Sequence, residues 1–104
     1  MGTSLTVLSK RLLEKEGYIV ERVEYWNSYT MHRVDLLGVA DLLALNGKEL
    51  LLVQTTSRSN LSSHRKKCQA SEKLKLWLSA GGRLIIHVWD KPTSRWRVKI
   101  EEIK

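Results

Sequence analysis

The sequence contains no phenylalanine, a single cysteine and a single proline, and no apolar run that approaches the length of a bilayer span. The lone Cys68 excludes an intrachain disulfide and any cysteine-rich zinc site, so a reducing, intracellular and cytoplasmic location is expected. His32, His64 and His87 are far apart, and none stands at a metal-ligand spacing such as HxxxH, which argues against a histidine zinc centre. No basic stretch followed by an apolar core stands at the start, so neither a signal peptide nor a membrane helix is expected. Acidic residues are scarce as well. Eleven Asp and Glu face eighteen Lys and Arg, for a formal charge of +7 and a pI near 9.8. Such an excess favours a polyanionic partner, of which nucleic acid is the commonest.

With 104 residues, 42% of them hydrophobic, the chain is expected to form one compact domain over residues 1–104. From Ser4 to Glu16 the residues Leu5, Leu8, Leu12 and Leu13 recur at helical spacing, and Gly17 supplies a stop. Tyr18 to Trp26 is rich in β-formers and reads as a strand, followed by a polar loop from Asn27 to Arg33. Two apolar runs, Val34 to Leu45 and Glu49 to Thr55, flank Asn46-Gly47 and predict a buried antiparallel hairpin with a two-residue turn. After a polar stretch, a second helix is expected to run to about Ala80, with Ala70, Leu74, Trp77 and Leu78 inward and Gly81-Gly82 ending it. Arg83 to Trp89 reads as a buried strand, and Pro92 as part of a turn. Trp96, Val98 and Ile100 then alternate with basic residues in a half-exposed last strand. The order α-β-β-β-α-β-β describes an α/β sandwich.

The chemistry concentrates in the hairpin. If Leu45 pairs with Lys48, Asp41 lies opposite Leu52 and Gln54 is its diagonal neighbour, with both side chains on one face. Diagonal β-carbons lie roughly 6 to 8 Å apart, within reach of one shared cation. Thr56 follows two residues farther along that face. A carboxylate and an amide inside an aliphatic hairpin need a reason, because burying an unpaired polar group costs about 1 to 3 kcal/mol and a charge more.

Asp41 and Gln54, thirteen residues apart across Asn46-Gly47, together with Gly17-Tyr18-Ile19-Val20 leading into the first strand, resemble the PD-(D/E)XK nuclease superfamily. The resemblance is nearest to the archaeal and phage Holliday junction resolvases and the small VRR-NUC-like nucleases, and it covers nearly the whole chain in element order. It implies a restriction-endonuclease-like fold with a central mixed sheet and a metal site formed by the first Asp and a following Glu-x-Lys. It also implies Mg2+, with Mn2+ as a substitute, hydrolysis of branched or structured DNA, a homodimer, and a viral or mobile-element source. The chain departs from the pattern. Val39-Ala40 stand where the family often has its Pro, Gln54 replaces the Glu, Thr56 replaces the Lys, and Thr6 marks the place in the first helix where resolvases often carry a further acidic ligand.

Phosphodiester hydrolysis of this type needs a hard cation held by oxygen ligands. Asp41 offers an anionic oxygen and Gln54 only an amide oxygen, so the site is one negative charge short, and Asp35 or Glu24 would have to complete it. Asp35 shares the parity of Asp41, but an unbroken strand would separate them by about 20 Å. It joins the site only if Gly38 bends the chain or the strand begins later. Glu24 would reach in from the first strand. For the lost lysine, Lys67 or Lys66 at the start of the second helix is the replacement, unless these residues are phosphate contacts or a solvated face.

Between Arg58 and Lys75 there are six Lys and Arg and one acid, Glu72, a local excess of 6 − 1 = 5. Arg58, Asn60, Ser62, His64, Arg65 and Lys66 are the expected nucleic-acid contacts. Of the four tryptophans, Trp77 and Trp96 fall on inward positions, whereas Trp26 and Trp89 end strands and fit core, base-stacking or dimer contact. Three functions compete: a metal-dependent endonuclease, a binding module that kept the fold and lost catalysis, and a regulatory subunit for an acidic protein.

Overall fold

The computed structural model describes residues 4–104 as a five-stranded mixed sheet with helices on both faces and a separate two-stranded sheet at one end. Helix α1 (Leu5–Lys15) leads into β1 (Ile19–Arg22), β2 (Tyr25–Asn27), β3 (His32–Val34), β4 (Leu42–Leu45) and β5 (Leu50–Ser57). A single 3-10 turn (Arg58–Asn60) then precedes α2 (Leu61–Ala70), α3 (Glu72–Ser79), β6 (Arg83–Asp90) and β7 (Arg97–Ile103). The large sheet has the order β1-β4-β5-β6-β7, with β5 and β6 parallel and the other neighbours antiparallel. The α/β class and the central mixed sheet are those expected from the sequence.

Each face of the sheet carries its own core. Leu13, Val20, Leu42, Ala44, Leu51, Val53 and Ile85 pack on the α1 side. Leu52, Leu84, Ile86 and Val88 pack with Cys68 and Leu74 on the side of α2 and α3. Of the leucine stripe of helix α1, only Leu13 is fully buried. Its buried residues are Thr6, Ser9 and Leu13, while Leu5, Leu8 and Leu12 are half-buried. Polar partners on the sheet explain the burial of Thr6 and Ser9. Ser9 Oγ accepts a hydrogen bond from Trp89 Nε1 and lies at the same 2.8 Å from His87 Nδ1. Thr6 Oγ1 stands 3.3 Å from Thr55 Oγ1.

Several elements differ from the sequence reading. The first strand breaks after Arg22, and the polar segment after it is no loop, because β2 and β3 pair there as a hairpin with Tyr25 opposite Val34. Its turn is held by Asn27 Oδ1, which accepts from the backbone N–H groups of Tyr29 and Thr30, and Met31 takes a positive φ of 57°. The second helix is interrupted at Ser71, whose extended backbone and side-chain bond from Leu74 N–H restart it as α3. Trp26 is exposed and Trp89 buried, while Trp96, edge-on to Trp89, and Ile100 are exposed rather than inward.

The β4–β5 turn is also longer than the two residues expected. Asn46 Oδ1 accepts from the N–H groups of Lys48 and Glu49, and Leu45 pairs with Leu50 rather than Lys48. The register therefore slides by two residues. Such a slide keeps every side chain on its expected face, since parity alone decides the face.

Candidate metal centre

Three features bring the polar residues together. The corrected register ends with Leu42 opposite Val53, and Asp41 N–H donates to the Val53 carbonyl at 2.9 Å, so Asp41 and Gln54 become direct rather than diagonal neighbours. The second feature is the bend at Gly38. Leu37 and Gly38 both take positive φ, 56° and 74°, Val39 N–H bonds the Leu36 carbonyl, and Leu36 bridges Ala40 across the reversal. The chain thus folds back within three residues, and Asp35 returns to Asp41 instead of lying a strand-length away. The third is the break between β1 and β2, which turns Glu24 inward until its side chain is only 4% exposed. Glu24, Asp35 and Asp41 each present a carboxylate oxygen, and these oxygens lie within 4.8 Å of one another.

Asp41 is held firmly. Its Oδ2 accepts from Thr55 N–H at 2.9 Å, from Thr55 Oγ1 at 2.9 Å and from Gln54 Nε2 at 3.1 Å. These bonds all fall on one oxygen and leave Oδ1 without a protein donor. Burial pushes the Asp41 carboxyl up to about 7, the two Thr55 bonds opposing the rise and the nearby Asp35 and Glu24 carboxylates adding to it. Among the described residues Gln54 Oε1 is buried without a hydrogen-bond partner, and Glu24 Oε2 has only the longer charge contact from Arg33. An orphaned oxygen beside three carboxylates is costly in a protein interior and suits a cation. A hard ion about 2.0 to 2.6 Å from its ligands sets ligand oxygens up to about 5 Å apart, which the cluster meets.

The positive charge around this cluster comes from three directions. Lys67 Nζ lies 2.9 Å from Asp35 Oδ2, so of the two lysines considered at the start of α2 it is Lys67 that reaches the acidic group. Arg22 Nη2 bonds Glu24 Oε1 at 2.8 Å, and Arg33 Nη1 stands 3.5 Å from Oε2. Lys66 is exposed and makes no ion pair among the described residues. Thr56 is buried, but its hydroxyl donates to the Ser57 carbonyl. His64 lines the same cavity of about 360 Å³ as Asp35, Asp41, Gln54 and Thr55, and burial followed by the Lys67 charge holds its imidazole below the ordinary histidine range. Among the other expected nucleic-acid contacts, Arg65 is engaged with Glu101 on β7, Arg58 lies 3.7 Å from Asp90, and Asn60 and Ser62 are exposed.

Thr55 and Arg33 were not singled out from the sequence. Thr55 belongs to the opposite face of β5 by parity, and its part depends on a backbone N–H that no side-chain pattern reveals. Arg33 stood in a segment read as a loop.

No protein-family model and no curated protein matches this sequence. The structure is similar to that of Hjc, a Holliday junction resolvase from the archaeal hyperthermophile Archaeoglobus fulgidus, with a TM-score of 0.54 and 16% identity. The similarity covers 90% of this chain and 67% of that one. The fold is restriction-endonuclease-like.

The bend at Gly38 offers a direct check on this geometry. An added Cβ there meets no atom within 4 Å, so the penalty of Gly38→Ala is backbone strain at positive φ rather than a clash. Urea unfolding is expected to show a loss of about 1 to 2 kcal/mol. Mn2+ titration of the same variant should give clearly weaker binding, because Asp35 depends on the bend. Unchanged Mn2+ affinity would separate Asp35 from the site.

Proposed function

We propose that the protein is a divalent-metal-dependent endodeoxyribonuclease of the Holliday junction resolvase type, acting on branched or structured DNA. The convergence of Glu24, Asp35 and Asp41 carries this reading, on a fold shared with a resolvase and beside a surplus of basic residues. Asp41, Asp35 and Glu24 would hold Mg2+ or Mn2+, with Gln54 contributing an amide oxygen in place of the usual carboxylate. The bound cation supplies charge to the scissile phosphate and acidifies a water molecule.

The chain's own residues supply the remainder. Thr55 fixes one oxygen of Asp41 and so presents the other. Lys67 takes the part of the lysine replaced by Thr56 and offsets charge that develops on the phosphate as water bonds to phosphorus and the bridging P–O bond breaks. Lys66, Arg65 and Arg58 contact the flanking backbone, joined by Asn60, Ser62 and His64. Cutting two strands of a junction in concert requires two such sites, which a symmetric homodimer supplies.

Incubation with four-way junction, duplex and single-stranded DNA, in Mg2+, Mn2+ or chelator, tests this reading. Metal-dependent cleavage of the junction above the duplex is the expected result. Salt-dependent binding without cleavage in either metal would instead support a catalytically inactive nucleic-acid-binding module, the reading favoured by Gln54 and Thr56.

A further inference from the structure

The β2–β3 hairpin stands outside the main sheet and carries a concentration of exposed apolar residues: Tyr25 is 60% exposed, Trp26 59%, Tyr29 98% and Met31 66%. Its two ends run into the acidic cluster, Glu24 immediately before β2 and Asp35 immediately after β3. At its foot lies a cavity of about 640 Å³, lined by Tyr25, Val34 and Leu37 together with Arg33, Lys67 and Lys73. This cavity shares Arg33 and Asp35 with the acidic one. Its size falls in the range of small-ligand sites. Its lining combines the Tyr25 ring and apolar side chains with Lys67, which pairs with Asp35, and with Lys73, which makes no ion pair among the described residues.

We propose that this cavity receives an unpaired nucleotide next to the scissile phosphate, its base stacked on Tyr25 and its phosphate facing Lys73. The inference rests on the nuclease reading and narrows its substrate to DNA with unstacked bases near the cut. A base in intact duplex already has stacking partners and must lose them to reach an aromatic side chain. A base at a junction centre, gap or flap loses little. The combination of an exposed ring with Lys73 suits a nucleotide better than it suits a protein segment, which would bring no repeated negative charge. Trp26, adjacent to Tyr25 in the strand, points to the other face of the hairpin and is not part of this cavity.

The test uses the whole protein in chelator, so that binding is read without chemistry. The probes are a perfect duplex and the same duplex with a short central gap containing 2-aminopurine. Wild type should bind the gapped probe roughly tenfold more tightly than the duplex and quench its fluorescence. Tyr25→Leu, which keeps an apolar side chain on an exposed site, should lose roughly tenfold of the gap affinity and the quench while duplex binding stays unchanged. Tyr25→Phe should remain within about twofold of wild type, and Lys73→Gln should reduce the salt slope on the gapped probe by about 0.7. Wild type preferring the duplex, or Tyr25→Leu binding and quenching as wild type does, overturns the proposal. Cleavage assays on the same proteins keep the two readings apart: Tyr25-dependent gap binding without any cleavage removes the nuclease reading alone, and cleavage with Tyr25-independent binding removes this site alone.

Discussion

Asp41→Asn is expected to lose junction cleavage by about a thousandfold or more and, in the same chelated buffer at pH 7.5, to melt higher than wild type. The first effect follows because Asn keeps the shape of the side chain and its bonds from Thr55 but removes the anionic ligand of the proposed centre. The second follows from burial. The Asp41 carboxyl is raised from 3.8 to about 7, so ionising it in the folded protein costs more than in the unfolded chain by about three pH units. Each unit corresponds to about 1.4 kcal/mol, which bounds the gain from neutralising the site at about 4 kcal/mol. Part of this is offset, since an amide accepts the three donors at Oδ2 less strongly than a carboxylate does, and about 2 to 3 kcal/mol remains. For a domain of this size that is about 10 °C in melting temperature. Adding Mn2+ should raise the wild type and leave the variant where it was. A variant that melts at or below wild type in chelator would show that Asp41 is not a strained carboxylate, whatever its effect on cleavage.

The pH dependence of stability gives the second large effect, because His87 opposes Asp41. His87 is fully buried, bonded to Ser9, and its Nε2 has no partner, so burial lowers its pKa from 6.5 to about 4. Between those values the unfolded chain takes up a proton that the folded protein refuses, and stability falls as pH falls. Asp41 does the reverse. Between 3.8 and about 7 the folded protein keeps a proton that the unfolded chain releases, so stability falls as pH rises. From about pH 4 to 6.5 the two slopes oppose one another, with the lowered His64 adding to the His87 side, so chelated wild type should lose stability only gently as pH falls across that window. Asp41→Asn removes one slope and exposes the other. The variant should lose about 3 kcal/mol between pH 6.5 and 4. A profile as level as that of wild type would mean that His87 is not kept neutral by the fold.

The sequence reading located the polar centre despite a wrong register because its conclusion depended on parity. The Asn46-Gly47 pair marks a turn correctly, but Asn46 uses its side chain to hold a longer one, and a slip of two residues leaves Asp41 and Gln54 on a shared face. Gly38 was legible as a condition: if it bent the chain, Asp35 would join Asp41, and the pair of positive φ values at Leu37 and Gly38 does this. The β2–β3 hairpin was not legible. Its turn contains no Gly or Pro, its strands are three residues each, and both are set by pairing rather than by alternation. The inward turn of Glu24 was hidden for the same reason. The interruption at Ser71 had a local sign, a serine before Glu72 that could cap a new helix, but the apolar spacing of Ala70, Leu74, Trp77 and Leu78 runs across it undisturbed.

The placement of Glu24 and Asp35 at the two ends of one hairpin bears on the unfolded chain as well as on the folded one. An ion gripped by Glu24, Asp35 and Asp41 ties three points of the polypeptide together, spanning 35 − 24 = 11 and 41 − 35 = 6 residues. It acts as a removable cross-link, closing two short loops that contain the whole β2–β3 arm. Its cost in chain entropy is met when the ion binds. On the proposed reading, the aromatic arm would gain its anchorage from the same event that completes the metal centre, so that one ligand would switch on substrate grip and reactivity together.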